Sequence, residues 1–244
     1  MAETFSLKPR VLTKKLVSIL PEKAQDIIKK RFGLDDDVKR MTLESIGQIY
    51  GITRERVRQI ENFALQSIKK SPVFAEFDAV FEHLGEHIDE YGKGLAHEDD
   101  FLTHVAGGKG FENHLRFYMV LGDDFERLKE DDDFHQRWTT DADLGEKVHD
   151  ALRALAEGLE DDDLLSEQEI LLRFHGILKN SVKGVSEDDE VLKRWLSLSK
   201  LIAQNPMGDW GSAESPSIKI RGMRDLAFLV LRKNGEPLHF ADVA

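Results

Sequence analysis

The sequence predicts a mainly α-helical protein: a small basic helical module at the N-terminus, then a longer acidic helical remainder. Three observations carry that reading. Residues 42–70 hold two apolar helical periods separated by Gly51, each preceded by a threonine able to cap it. Residues 1–72 carry 15 Lys+Arg against 9 Asp+Glu, whereas residues 73–244 carry 19 against 37. Finally, a seven-residue pattern recurs along the acidic part at spacings of 69 and 73 residues (Phe101 to Ile170 to Val243).

Taken in order, residues 8–20 read as a helix. Pro21 suits the first position of the next helix, because its missing N–H would have had no partner there. That helix runs to about Phe32 and stops at Gly33, and residues 35–37 make a loop. Thr42 caps a short helix over residues 43–50, with Glu44 near its positive end. Gly51 turns the chain, Thr53 caps a longer helix over residues 54–70, and Pro72 closes the module at residues 1–72.

Phe74, Phe77, Phe81, Leu84, Ile88 and Tyr91 then recur at helical spacing, bounded by Gly92 and Gly94. Core packing within the chain is preferred over a dimer seam, which needs at least three to four heptads. Residues 95–101, 164–170 and 237–243 align as the repeat: an apolar link, then a helix start with an acid and a buried-type residue. Helix, apolar link and second helix is how a winged-helix unit begins. Residues 73–145 and 146–210 are therefore read as acidic helical domains, with a tandem winged-helix build as one reading. Residues 125–139 and 199–210 are their candidate later strands or helix. Residues 205–217, rich in Pro, Gly and Ser, read as a linker, so 211–244 is linker plus an amphipathic helix at 223–232 that opens an incomplete unit.

Composition narrows the function classes. There is no cysteine, hence no disulfide and no thiolate metal site, and a cytoplasmic setting is expected. No apolar run approaches the ~18 residues of a membrane span, so no membrane partner is expected, and residues 1–10 lack the apolar region of a secretory signal. Such charge asymmetry suits a nucleic-acid-facing module joined to something that must not adhere to nucleic acid, although soluble proteins carry acidic faces in any case.

The chemistry lies in the second helix of the module. On a 100° wheel Arg54, Glu55, Arg58 and Gln59 fall within about a 140° arc, opposite Val57, Ile60, Ala64 and Ile68. The apolar arc is expected to pack on Leu43, Ile46 and Ile49, holding the polar arc outward near the helix N-terminus, where recognition helices meet bases. Arg pairs bidentately with guanine, Gln with adenine, and Glu accepts from cytosine; each good pair discriminates by roughly 1–3 kcal/mol. Thr53, Arg56, Lys39, Arg40, Lys69 and Lys70 suit phosphates, which add affinity without sequence information. The competing reading is an ordinary solvated face with Glu–Arg pairs three residues apart.

Residues 20–71 closely resemble region four of the bacterial primary sigma factors. Arg31-Phe-Gly-Leu-Asp35, Thr42-Leu-Glu-Ser-Ile-Gly47, Thr53-Arg-Glu-Arg-Val-Arg-Gln-Ile-Glu61 and Ala64-Leu65 carry the resemblance. It implies a helix-turn-helix whose second helix reads the minus-thirty-five promoter element in double-stranded DNA, through Arg54, Glu55, Arg58 and Gln59, and which docks on the RNA polymerase β-flap. Nothing in the chain resembles the promoter-melting region of full sigma factors, so a self-sufficient sigma factor is not expected. Residues 220–244 resemble the start of a HARE-HTH winged helix, as in the polymerase δ subunit; only about half of such a domain is present. The expected function is a non-enzymatic, sequence-specific DNA-binding transcription protein that contacts polymerase core. The alternative is a polymerase-binding or sigma-mimicking regulator acting by protein–protein contacts.

Other motifs carry less. His83-Leu-Gly-Glu-His87 matches the inverted zincin pattern, but Gly85 weakens the helix and only three positions are fixed. Residues 107–110 (Gly-Gly-Lys-Gly) lack the phosphate-loop pattern, and the acidic runs at 131–133 and 160–163 lack the ligand alternation of a calcium loop. No cofactor, metal or catalytic set is expected.

Overall fold

The computed structural model describes residues 8–35, 39–160, 163–182, 185 and 187–236. The chain divides into two compact units, residues 1–90 with 98–127, and residues 91–97 with 128–244.

In the first unit, α1 (Pro9–Val17) and α2 (Glu22–Phe32) precede α3 (Leu43–Tyr50) and α4 (Arg54–Lys69). Pro21 stands one position ahead of its expected place, as the cap before Glu22, and Gly33 closes α2 in the left-handed region at φ 66°. Ile27, Ile46 and Val57 form the fully buried centre where α2, α3 and α4 meet. A 3-10 turn (Phe74–Phe77) leads into α5 (Asp78–Gly92), which buries Phe77, Phe81, Leu84 and Ile88 inside the chain.

The same unit contains α6 (Glu98–Ala106) and α7 (Glu112–Leu121). α7 is bound to the N-terminal helices by apolar and polar contacts. Phe117 meets Phe32 edge-on with ring centroids 5.1 Å apart, and Asn113 Nδ2 donates to Gly33 O at 3.1 Å. Tyr118 Oη donates to Pro9 O at 2.6 Å. That fixes the rest of a buried chain: Thr13 Oγ1 donates to Tyr118 Oη, and His114 Nδ1–H donates to Thr13 Oγ1, both at 2.9 Å. Burial, only partly offset by Thr13, pushes the Tyr118 hydroxyl pKa up to about 12. The module is thus larger than residues 1–72, because α7 completes its apolar interior.

In the second unit, β1 (Leu95–His97) pairs antiparallel with β3 (Arg137–Thr139), Ala96 opposite Trp138. β2 (Glu126–Leu128) lies between α7 and β3 in the chain. α8 (Ala142–Glu157), α9 (Glu167–Leu178) and α10 (Asp189–Leu196) enclose Val148, Leu152, Ile170, Phe174 and Trp195. The hairpin of β4 (Ile202–Gln204) and β5 (Trp210–Ser212) and the helix α11 (Met223–Asn234) follow. No helix among the described residues is long and apolar enough to cross a membrane.

The order of elements is similar after the two aligned runs at 95–101 and 164–170. The element order α5-β1-α6-α7-β2-β3 recurs as α8, a single bridge at Leu165, α9, α10, β4 and β5. Glu98 and Glu167, equivalent in the sequence alignment, are the first residues of α6 and α9, and Phe101 and Ile170 are both fully buried. Residues 237–243, the third copy, lie outside the described residues. Residues 125–139 and 199–210 hold strands.

One expectation is overturned: residues 205–217 are not a linker. Asn205 Oδ1 accepts from the N–H groups of Met207 and Asp209, closing the β4–β5 turn, with Gly208 at φ 86°. The Asn-Pro-Met-Gly-Asp run is hairpin chemistry, and Ser215 and Ser217 are buried beyond it.

Candidate nucleic-acid interface

The site is built from two capped helices and two glycines. Thr42 Oγ1 accepts from Ser45 N at 3.1 Å and starts α3; Thr53 Oγ1 accepts from Arg56 N at 3.1 Å and starts α4. Gly51 ends α3 in the left-handed region at φ 63°, which a side chain rarely adopts. Gly47 has a different role. A Cβ there would lie 2.6 Å from Ile52 O, so the crossing of α3 and the turn requires a hydrogen in place of a side chain. The same contact is held by Ile52 N donating to Gly47 O at 3.0 Å. Gly47 sits inside an eight-residue helix that has no other glycine; this is the signal that sequence reasoning left unused.

Burial of Val57 against Ile46 fixes the roll of α4 and turns Arg54, Glu55, Arg58 and Gln59 outward, all exposed. Ile49 departs from expectation: it is 55% exposed, and Tyr50, Ile52 and Met41 pack on the buried centre instead. Ile49 is six residues from Leu43, which places it about 120° from Leu43 around α3 and off the α4 side.

The outward side chains form one connected set. Arg58 grips Glu55 with both arms, Nε to Oε2 at 2.8 Å and Nη2 to Oε1 at 2.7 Å. Gln59 Nε2 reaches Glu55 Oε1 at 3.5 Å, and Arg56 Nη1 donates to Gln59 Oε1 at 3.0 Å. The hydrogen bond from Arg58 holds the Glu55 carboxyl below its usual range, and the Glu55 carboxylate raises the Arg58 guanidinium. This is the Glu–Arg pairing that the plain-surface reading foresees, and it is also an arrangement that pre-orders Arg58 for a planar acceptor. All of it is in water, so a base edge competes with a weak, screened pair.

The six phosphate candidates are spread out. Thr53 and Arg56 are exposed at the start of α4. Lys39 and Arg40 are exposed ahead of α3; partial loss of solvent and the neighbouring Arg116 lower the Arg40 guanidinium pKa, opposed by Glu98. Lys69 and Lys70 stand roughly 24 Å along α4 from Thr53, at 1.5 Å per residue. Lys69 Nζ is engaged by Asp123 Oδ1 at 2.5 Å, so the structure does not gather it with the base-facing set.

Beside this edge, Pro21, Lys23, Ala24, Ile52, Arg56, Ile60 and Phe63 line a groove of about 250 Å³ between α2 and α4. Phe63 is 59% exposed on its wall. Sequence reasoning passed over it because a single apolar residue on a polar face is ordinary. Arg56 therefore borders an apolar groove on one side and Gln59 on the other. On α5, His83 Nδ1 is 2.9 Å from Glu86 Oε2 and the two histidine rings lie 6.2 Å apart. Among the described residues no group of three or more His, Asp or Glu side chains is placed to hold a metal.

Comparison with known proteins agrees with this geometry over one segment. The chain is 45% identical over 64 residues to the RNA polymerase principal sigma factor HrdD of Streptomyces viridifaciens, covering 26% of this chain and 19% of that protein. It is 44% identical over 54 residues to the RNA polymerase sigma factor SigA of a Bacillus species, covering 22% and 14%. The chain thus spans less than a fifth of the length of these relatives. Residues 16–70, which contain α2, α3, α4 and the whole outward edge, match the family model for Sigma-70, region 4.

Proposed function

We propose that the protein binds promoter-like double-stranded DNA by placing the N-terminal half of α4 in the major groove. Arg54, Glu55, Arg58 and Gln59 read base edges there, while Thr53, Arg56, Lys39 and Arg40 contact phosphates, with Lys69 and Lys70 adding long-range attraction. The observation that carries this is the connected, exposed edge at the start of a helix whose opposite face is buried on Ile46. The protein works in the cytoplasm without catalysis and touches RNA polymerase core. The apolar groove beside Arg56 and Phe63 supports a protein contact next to the DNA edge. The repeated element order supports tandem winged-helix units after the module, with α11 as the first helix of a third, HARE-HTH-like unit.

A random-pool duplex selection with the full chain, followed by a salt titration, tests the proposal. Arg58→Ala should weaken the selected duplex far more than an unrelated one, and affinity should fall steeply with salt. Equal loss on every sequence means that Arg58 does not read bases.

A second reading, a polymerase-binding or sigma-mimicking regulator, is favoured by one observation: residues 73–244 carry 37 acidic against 19 basic side chains and repel phosphate. Replacing Arg54, Glu55, Arg58 and Gln59 together by alanine separates the two. Retained polymerase binding and retained effect on transcription favour the regulator; retained polymerase binding with lost effect favours the DNA reader.

A further inference from the structure

α5 carries a pair of histidines that the DNA reading leaves unused. His83 and His87 stand about one turn apart on the helix, four residues rising roughly 6 Å. Their rings are stacked, with centroids 6.2 Å apart and planes 30° from parallel. Both reach solvent: the His83 side chain is 59% exposed and that of His87 22%.

Each ring also has a carboxylate three residues further along the helix. His83 Nδ1 lies 2.9 Å from Glu86 Oε2, and His87 Nδ1 lies 3.6 Å from Glu90 Oε2. A carboxylate beside Nδ1 keeps the proton of a neutral imidazole on that nitrogen and leaves the lone pair on Nε2. It also fixes the direction of the ring and makes Nε2 a better donor, as carboxylates behind metal-bound histidines do. Asp78, Glu82, Glu86, Asp89 and Glu90 give α5 its charge, with no lysine or arginine on the helix, so its surface attracts cations.

The structure assigns to His83 and His87 a chelate for a divalent transition metal of the Cu2+ or Zn2+ class, each ring giving Nε2. Imidazole suits these ions, and two histidines four residues apart on a helix face can share one of them. Nitrogens at about 2.1 Å from one ion set the ring centroids roughly 5 Å apart, so side-chain rotation must close the pair by about 1 Å. Among the described residues no group of three or more His, Asp or Glu side chains is placed to hold a metal, so water fills the remaining positions. This is not the hydrolytic centre of an inverted zincin, which needs a third protein ligand and a free general base; Glu86 is turned to His83 instead. The bound ion bridges the turn that contains Gly85 and restores order that a glycine costs a helix.

Isothermal titration of the full chain, free of any histidine tag, with CuSO4 and with ZnCl2 tests this. One site per chain is expected, with Cu2+ bound more tightly than Zn2+ and undisturbed by Mg2+, which prefers oxygen. The second ring of a chelate acts at raised effective concentration, so His83→Gln and His87→Gln should each weaken binding by roughly tenfold to a hundredfold. Glu86→Gln should weaken it severalfold, through the orientation of His83 alone. Matching thermal melts without metal check that the variants fold. Should one of them melt early, electron paramagnetic resonance of the wild-type Cu2+ complex decides: hyperfine structure from two imidazole nitrogens is expected. The absence of a one-to-one site for either ion overturns the proposal. So does affinity that ignores both histidine substitutions, or an all-oxygen Cu2+ spectrum, each of which means an adventitious ion only.

Discussion

Replacing Gly47 by alanine probes how α4, the proposed DNA reader, is aimed. In most helix interiors this change is favourable, by roughly 1 kcal/mol in propensity. Here the new Cβ would sit 2.6 Å from Ile52 O, with Thr53 C and Arg54 N next at 3.5 Å. Ordinary contact begins near 3.4 Å, so about 0.8 Å must be found. None of the three atoms belongs to a flexible side chain. Ile52 cannot retreat freely, because its N–H is held by Gly47 O. The α3–α4 turn must therefore open, dragging Thr53 and the start of α4 with it. Overpacking of this kind costs about 1–3 kcal/mol, which exceeds the propensity gain. Gly85 is the matched control: it lies inside α5, and a Cβ there meets nothing within 4 Å. Urea unfolding followed by circular dichroism is expected to show Gly47→Ala destabilised by roughly 1–2 kcal/mol and Gly85→Ala stabilised by roughly 0.5–1 kcal/mol. Duplex affinity should fall for Gly47→Ala alone. Two glycines that respond alike would refute the claim that the turn is set by this close approach.

Three further outcomes follow from the packing and the charges. Phe117→Ala removes the ring against Phe32 and should cost about 3–5 kcal/mol, so that α1–α4 unfold with the rest of the first unit rather than independently; amide hydrogen exchange measures this. His149, buried and facing Arg137 and Arg153, has its pKa lowered to about 4, burial being the larger cause. The unfolded chain therefore takes up a proton near pH 6.5 that the folded chain refuses, and stability should fall on acidification from about pH 6.5 to 4, by on the order of 2 kcal/mol after solvent screening. His149→Gln keeps an acceptor for Arg137 Nε and should flatten that slope in denaturant midpoints measured across the window. Asn205→Ala removes the acceptor for Met207 N and Asp209 N and should loosen the β4–β5 hairpin, seen as faster amide exchange at those two positions.

What the sequence disclosed was local chemistry. Thr42, Thr53, Gly33 and Gly51 declare helix ends through side-chain caps and left-handed glycines, and those ends fall where the spacing put them. The roll of α4 was legible because Val57, Ala64 and Ile68 recur at helical spacing opposite the charged residues at its start, and all three are fully buried. Contacts distant in sequence were not legible. Nothing in the pattern of α7 says that Phe117 and Tyr118 will close the module begun a hundred residues earlier, since an apolar helix face names no partner. Residues 205–217 misled because Pro, Gly and Ser mark tight hairpins as well as linkers, and only the strands on either side decide. Gly47 was overlooked because a glycine required by a neighbour's carbonyl resembles a glycine tolerated by chance.

The placement of α7 also bears on which helix can meet DNA. In a winged-helix order the third helix is the one that enters the groove. Here α7 directs His114, Phe117 and Tyr118 into contacts with Thr13, Phe32 and Pro9, so that face is already occupied. After the run at 164–170, α10 is capped by Asp188 and opens with Asp189 and Glu190, three carboxyls where a DNA reader needs donors and positive charge. Trp195, on its other side, is buried with Nε1 donating to Gly92 O at 2.8 Å. Neither third helix offers phosphates a favourable surface, which agrees with the role proposed for α4. On that proposal, such a division improves discrimination. Non-specific affinity comes from counterion release by cations near the duplex, and an acidic body attached to the module reduces it on every sequence alike. The base contacts proposed for Arg54, Glu55, Arg58 and Gln59 are untouched by that reduction. Trimming the chain after residue 127, which removes most of the second unit, should therefore raise affinity for unrelated duplex more than for the selected one, and shrink the ratio between them. A ratio that instead grows on trimming would mean that the acidic unit takes part in recognition.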